Sequence, residues 1–142
     1  MESGQLEQAL DIRIPSDVQY IENIVEQVVA RCEAHRFARR HLALNVPVAL
    51  TEALSNAILR GNGDDRSRSV HVRAQVDHAQ LVLEVRDEGA GFDLAACTDD
   101  PTTPDNLCRE DGRGLFLMQR LMDSVERFSD GGNVVRLTLR RS

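Results

Sequence analysis

TEALSNAILRGN (51–62) sets Glu52 and Asn56 four residues apart inside a run that can only be a helix. Ala49, Leu50, Ala53, Leu54, Ala57 and Ile58 recur at i and i+4, the signature of one buried stripe. Asn45 is the expected cap, Pro47 fits a first turn, and Gly61 is the expected stop. On this helix Glu52 and Asn56 project from the same side, one turn apart and flanking the stripe. A carboxamide oxygen is a hard ligand suited to a divalent cation shared with phosphates, and the carboxylate beside it is left as a base. Taken alone, the pair reads first as a solvated helix face.

QLVLEVRDEGAGFD (80–93) lies some thirty residues on. Leu81, Leu83 and Val85 alternate as in a half-buried strand, which ends at Asp87 and enters a turn holding Gly89 and Gly91. A carboxylate at a strand end can accept from an exocyclic amine such as that of adenine, while glycines leave room for the ring. The competing reading is an ordinary Asp-Glu-Gly turn.

A third piece, GRGLFLMQRLMD (112–123), reads as Gly112, Arg113 and Gly114 ahead of a helix bearing Leu115, Phe116, Met118, Leu121 and Met122. A glycine loop entering a helix offers free N–H groups and the positive dipole end to phosphate, with Arg113 adding charge. A flexible hinge has the same composition.

In this order the three pieces resemble the N, G1 and G2 boxes of the GHKL (Bergerat-fold) ATP-binding superfamily. GRGLFLM followed by MD is similar to its small anti-sigma-factor serine/threonine kinases of the RsbW and SpoIIAB type. The resemblance spans residues 8–141. It implies an α/β two-layer sandwich with a mixed, mostly antiparallel sheet and helices on one face, binding ATP and Mg2+. It casts Glu52 as general base, Asn56 as magnesium ligand and Asp87 as adenine contact. Gly89, Gly91, Gly112, Arg113, Gly114 and Leu115 then line the nucleotide. It further implies phosphorylation of an anti-anti-sigma (STAS) protein, sequestration of a sigma factor, and a homodimer. Two departures stand out: Gly131-Gly132-Asn133-Val134 replaces the usual Gly-Thr after the final turn, and Arg60 stands where many relatives carry His.

Around these pieces, ALDIRI (9–14) reads as a first strand, Ser16 with Gln19 as a capping box, and Val18, Ile21, Val25, Val28, Val29 and Cys32 as the apolar side of a first helix. SVHVRAQV (69–76) with QLVLEV (80–85), and SVERFS (124–129) with VVRLTL (134–139), read as hairpins. Residues 94–111 have two prolines, five acids and Arg109 as sole base, without periodicity, and are expected to form an irregular ATP lid; a surface insert is the alternative.

At 142 residues and 42% hydrophobic, the chain is expected to be one domain, residues 1–142. No 18-residue apolar run or secretion signal is read from it, which points to the cytoplasm and to no membrane partner. Three cysteines without metal spacing suit a reducing compartment and argue against zinc. A net charge of −6 disfavours direct nucleic-acid binding and favours protein partners. HRFARRH (35–41) is the densest basic patch, either a solvated helix end or a docking surface for an acidic partner. The residues do not separate a hydroxyl nucleophile from water, so a simple ATPase stays open beside the kinase. A non-catalytic partner-binding module is the third reading.

Overall fold

The computed structural model describes residues 8–63, 65, 67–88 and 106–141, with the backbone alone described for Gln8 and for 106–113. Five strands, β1 (Gln8–Pro15), β2 (Ser69–Val76), β3 (Gln80–Arg86), β4 (Ser124–Ser129) and β5 (Asn133–Arg140), form one sheet in the order β1-β2-β3-β5-β4. The mostly antiparallel sheet that the resemblance implies is present, and all four pairings among these strands are antiparallel. The two hairpins form where the alternation places them. Asp77 closes the first, its Oδ1 accepting from Ala79 N at 2.7 Å and Gln80 N at 2.9 Å, and these bonds hold its carboxyl below the usual carboxylate range.

One sheet face is apolar and carries the helices. Val70, Val72, Ala74, Val76, Leu81, Leu83, Val85, Leu137 and Leu139 pack against α1 (Ile21–Ala34), α2 (Val46–Ser55) and α3 (Asn106–Leu121). The other face carries an alternating ladder in register across all five strands: Asp11, Arg73, Glu84, Arg136 and Glu126. Successive N···O separations are 3.7, 3.9, 2.8 and 3.4 Å. Such solvent-facing pairs are screened by water and contribute little to stability. They mark the face as open to water, so the molecule has two layers.

Local structure departs from expectation where distant partners claim a side chain. The Ser16 and Gln19 capping box is absent. Asp17 caps instead, accepting from Gln19 N at 3.1 Å, while Ser16 is buried and bonded to Asn62. Ile24, Val28 and Cys32 are the buried line of α1, with Ile21, Val25 and Val29 packed at its flanks; Val18 is exposed. Asn45 caps nothing, because its Nδ2 donates to Leu121 O, 2.7 Å away at the end of α3.

The helix of residues 51–62 begins earlier than its caps suggested. A wide turn, His41–Asn45, precedes α2 and another, Asn56–Gly61, follows it, with Val46 N bonded to His41 O and Asn62 N to Ala57 O in i→i−5 fashion. Pro47, lacking an N–H, therefore lies within a longer helical rod. The rod His41–Gly61 has 21 residues and mean hydropathy 1.4, long and apolar enough by length and composition to cross a membrane. No such run was expected. Here Val46, Ala49, Leu50, Ala53, Leu54, Ala57 and Ile58 spend that apolarity in the core between α1, α3 and the sheet.

The 112–123 segment gives the largest correction. Gly112, Arg113, Gly114 and Leu115 lie inside α3, which starts at Asn106, so 112–114 is not a loop ahead of a helix. The last six residues of the expected 94–111 lid are helical too. Gly89, Gly91 and lid residues 94–105 fall outside the described residues.

Candidate nucleotide site

The site lies where the far end of α2 meets the end of β3. Ala53, Asn56, Ala57 and Gly61 line a cavity of about 50 Å³ together with Val85, Asp87, Asn133 and Val135 from the sheet. Two of the residues singled out by sequence, Asn56 and Asp87, thus face one space from opposite walls.

Asp87 is 5% exposed, unusual for a carboxylate and tolerable only with partners. Its Oδ1 accepts from Asn133 N and from Asn133 Nδ2, both at 3.3 Å, and its own N–H donates to Asn133 O at 3.0 Å. Next to it, Arg86 donates to Asp130 O at 2.6 Å and to Asp130 Oδ2 at 3.2 Å, tying the β3 end to the β4–β5 turn. Two glycines make the close approach possible. A Cβ on Gly61 would fall 1.9 Å from Asp87 Oδ2, and one on Gly132, whose φ is +151°, would fall 2.0 Å from Asp87 O.

Glu52 on α2 and Asn56, which opens the wide turn after it, are half-buried. Gly114 comes over them from α3: a Cβ there would lie 2.8 Å from Glu52 Oε1 and 3.4 Å from Asn56 Nδ2. The glycine read as part of a phosphate loop therefore brings two helices together at the carboxylate and carboxamide. Because it lies inside α3, its N–H is not one of the free donors of a helix N-terminus.

Asn56 Nδ2 is buried without a hydrogen-bond partner. A buried orphan of this kind costs about 1–3 kcal/mol and marks a position built for something else to complete. Turning the carboxamide over presents an oxygen in the same place, so the group fits a divalent cation with its hydration shell. Beyond their helical backbone, Gly112 and Arg113 are not described, whereas Leu115 is buried in the core beneath α3.

Two residues at this site escaped the sequence reading. Asn133 was visible only as a departure from a family pattern, and Asn62 had no local signal at all. The reason is separation along the chain, since Asn133 lies 46 residues from Asp87 and Asn62 lies 26 from Glu88.

Comparison with known proteins bears on the family and the fold. A family model described as a histidine kinase-like ATPase domain matches residues 14–139. The chain is 29% identical over 134 residues to the serine-protein kinase RsbW of Bacillus velezensis, covering 91% of this chain and 83% of that protein. It is 27% identical over 99 residues to the anti-sigma F factor of Clostridium beijerinckii, covering 68% of each. Among solved structures, that of the RsbU and RsbW domains of a Mycobacterium tuberculosis protein superposes with a TM-score of 0.66 at 16% identity. That match covers 94% of this chain but spans only 32% of the other, and it speaks for the fold alone.

Proposed function

The chain belongs to the histidine kinase-like ATPase domain family, and on that premise we propose that it is an ATP-dependent anti-sigma-factor serine/threonine kinase, one domain over residues 1–142. Relatives named serine-protein kinase and anti-sigma F factor support this over most of its length. The observation that carries the reading is the shared cavity, with Asn56 on one wall, Asp87 on the other, and Glu52 one helical turn from Asn56.

In this proposal the Asp87 carboxylate accepts a hydrogen bond from the exocyclic amine of adenine at the cavity it lines with Asn56. Asn56 would hold Mg2+, which shields charge on the phosphates when bound. Gly89, Gly91, Gly112, Arg113, Gly114 and Leu115 complete the nucleotide surroundings. Glu52 accepts the proton of an attacking serine or threonine hydroxyl as its oxygen bonds the γ-phosphorus and the bond to the β-phosphate oxygen breaks, releasing ADP. Catalysis is chiefly positioning and charge neutralisation.

The hydroxyl belongs to a STAS-type anti-anti-sigma protein, and a sigma factor is the second partner, sequestered in a partner-switching circuit. A homodimer acting in the cytoplasm, without direct contact to nucleic acid or membrane, completes the proposal. Incubating the chain with labelled ATP and a STAS protein tests it. Label on the partner that disappears with Glu52→Gln is the expected result. Partner binding without label would make the chain a binding module, and free phosphate without label on the partner would make it an ATPase.

A further inference from the structure

Asn62 follows the last wide turn of the α2 rod and is 2% exposed. Each hydrogen-bonding group of its side chain meets a different part of the sheet. Nδ2 donates to Ser16 Oγ at 2.6 Å, just past β1, and to Ser69 O at 2.9 Å, at the start of β2. Oδ1 accepts from Glu88 N at 2.8 Å, just past β3. Ser16 is itself fully buried and donates its N–H to Arg68 O at 3.1 Å, so the anchor does not swing.

The bond to Glu88 N bears on the site. That nitrogen belongs to the peptide whose carbonyl is Asp87's, so holding it fixes the plane on which the Asp87 carboxylate is mounted. Gly61, the preceding residue, vacates the space Asp87 Oδ2 occupies. Two consecutive residues therefore set the position of Asp87 relative to α2, one by leaving room and the other by holding the peptide. Asn56 stands on the same rod, so the separation of Asn56 from Asp87 is set by the same latch.

We infer that Asn62 is a positioning residue for the nucleotide site: it ties the end of the α2 rod to the Asp87–Glu88 peptide and keeps the purine and phosphate ends at a fixed spacing. The inference rests on the nucleotide-site reading above. A carboxamide is required because the position needs two donors and one acceptor on a short planar group. Aspartate keeps an acceptor for Glu88 N but turns an oxygen toward Ser69 O, where a donor is needed.

The test is ADP binding by calorimetry, with kcat and KM for ATP, on the full chain carrying Asn62→Ala, Asn62→Asp or Ser16→Ala, below the thermal transition of every variant. Asn62→Ala is expected to weaken ADP about tenfold and to raise KM in proportion, with kcat at saturating ATP within about twofold of wild type. Ser16→Ala removes one of the three bonds and shifts affinity the same way by about two- to threefold. If Asn62→Ala does not fold, Asn62→Asp and Ser16→Ala carry the comparison. Unchanged ADP affinity in folded variants, with only a lower Tm, makes Asn62 a staple of the fold and overturns the inference, as does a fall in kcat alone. A wild-type chain that binds no ADP overturns the nucleotide-site reading and the inference with it.

Discussion

Asn133 bonds Asp87 through both its backbone N–H and its carboxamide, and both bonds end on the same oxygen, Oδ1. The other oxygen, Oδ2, lies against the space left by Gly61. The carboxylate thus stands between Asn133 on the sheet side and Gly61 on the α2 side. Asn133, in the stretch where the resemblance implies a threonine, reaches Asp87 with its side chain.

Asn133→Ala keeps the backbone bond and loses the other, so ADP affinity should fall by about three- to tenfold, the effect of one hydrogen bond to a charged group. Asn133→Thr, with a hydroxyl that can donate, should recover part of the loss. Calorimetric titration of the three proteins decides it. Equal affinities would show that the carboxamide does not orient Asp87 for ligand.

Gly114→Ala separates stability from activity. Alanine is the better helix former by up to about 1 kcal/mol, which favours the variant inside α3. The new Cβ would lie 2.8 Å from Glu52 Oε1, and the carboxylate, at the end of a flexible side chain, is what gives way. Phosphoryl-transfer kcat should therefore fall by about tenfold or more, with Tm unchanged or raised. A large fall in Tm would mean that the helices cannot adjust at this contact.

What was legible in the sequence was local. Leu81, Leu83 and Val85 alternate and become the buried face of β3, while Glu52 and Asn56 sit one turn apart because four residues of helix put them there. Failures came where a distant partner outcompeted the local role. Ser16 and Asn45 have the chemistry of helix caps, yet Asn62 and Leu121 claim them from 46 and 76 residues away. Gly112 and Gly114 look like punctuation, but at Gly114 the absent side chain serves helix-to-helix approach over Glu52. The paired asparagines, Asn62 and Asn133, leave no periodic trace because their contacts join separate elements.

Asn56→Ala removes a side chain whose Nδ2 is buried and unpartnered. Its loss should leave the ligand-free protein as stable as wild type or up to about 1–3 kcal/mol more stable, since an unsatisfied group disappears. Magnesium-dependent stabilisation by ATP should vanish, while any magnesium-independent binding of adenosine stays. Thermal shifts with adenosine, with ATP alone and with ATP plus Mg2+ separate these effects. Retained magnesium dependence would remove Asn56 from the metal assignment.

Cys32 lies fully buried on α1, and burial pushes its thiol up to about 12 from an ordinary 9.0. The folded state therefore disfavours the thiolate relative to the unfolded chain. The corresponding share of stability is fully present below the unfolded value and is lost as pH rises from about 9 toward 12. Urea midpoints at pH 8, 9 and 10 should consequently fall more steeply for wild type than for Cys32→Ala, although the variant starts lower because it leaves a small cavity. Thiol reagents at pH 8 should label Cys32 only at the rate at which the core opens. A gap between wild type and variant that does not change across this range would show that Cys32 does not supply the alkaline sensitivity.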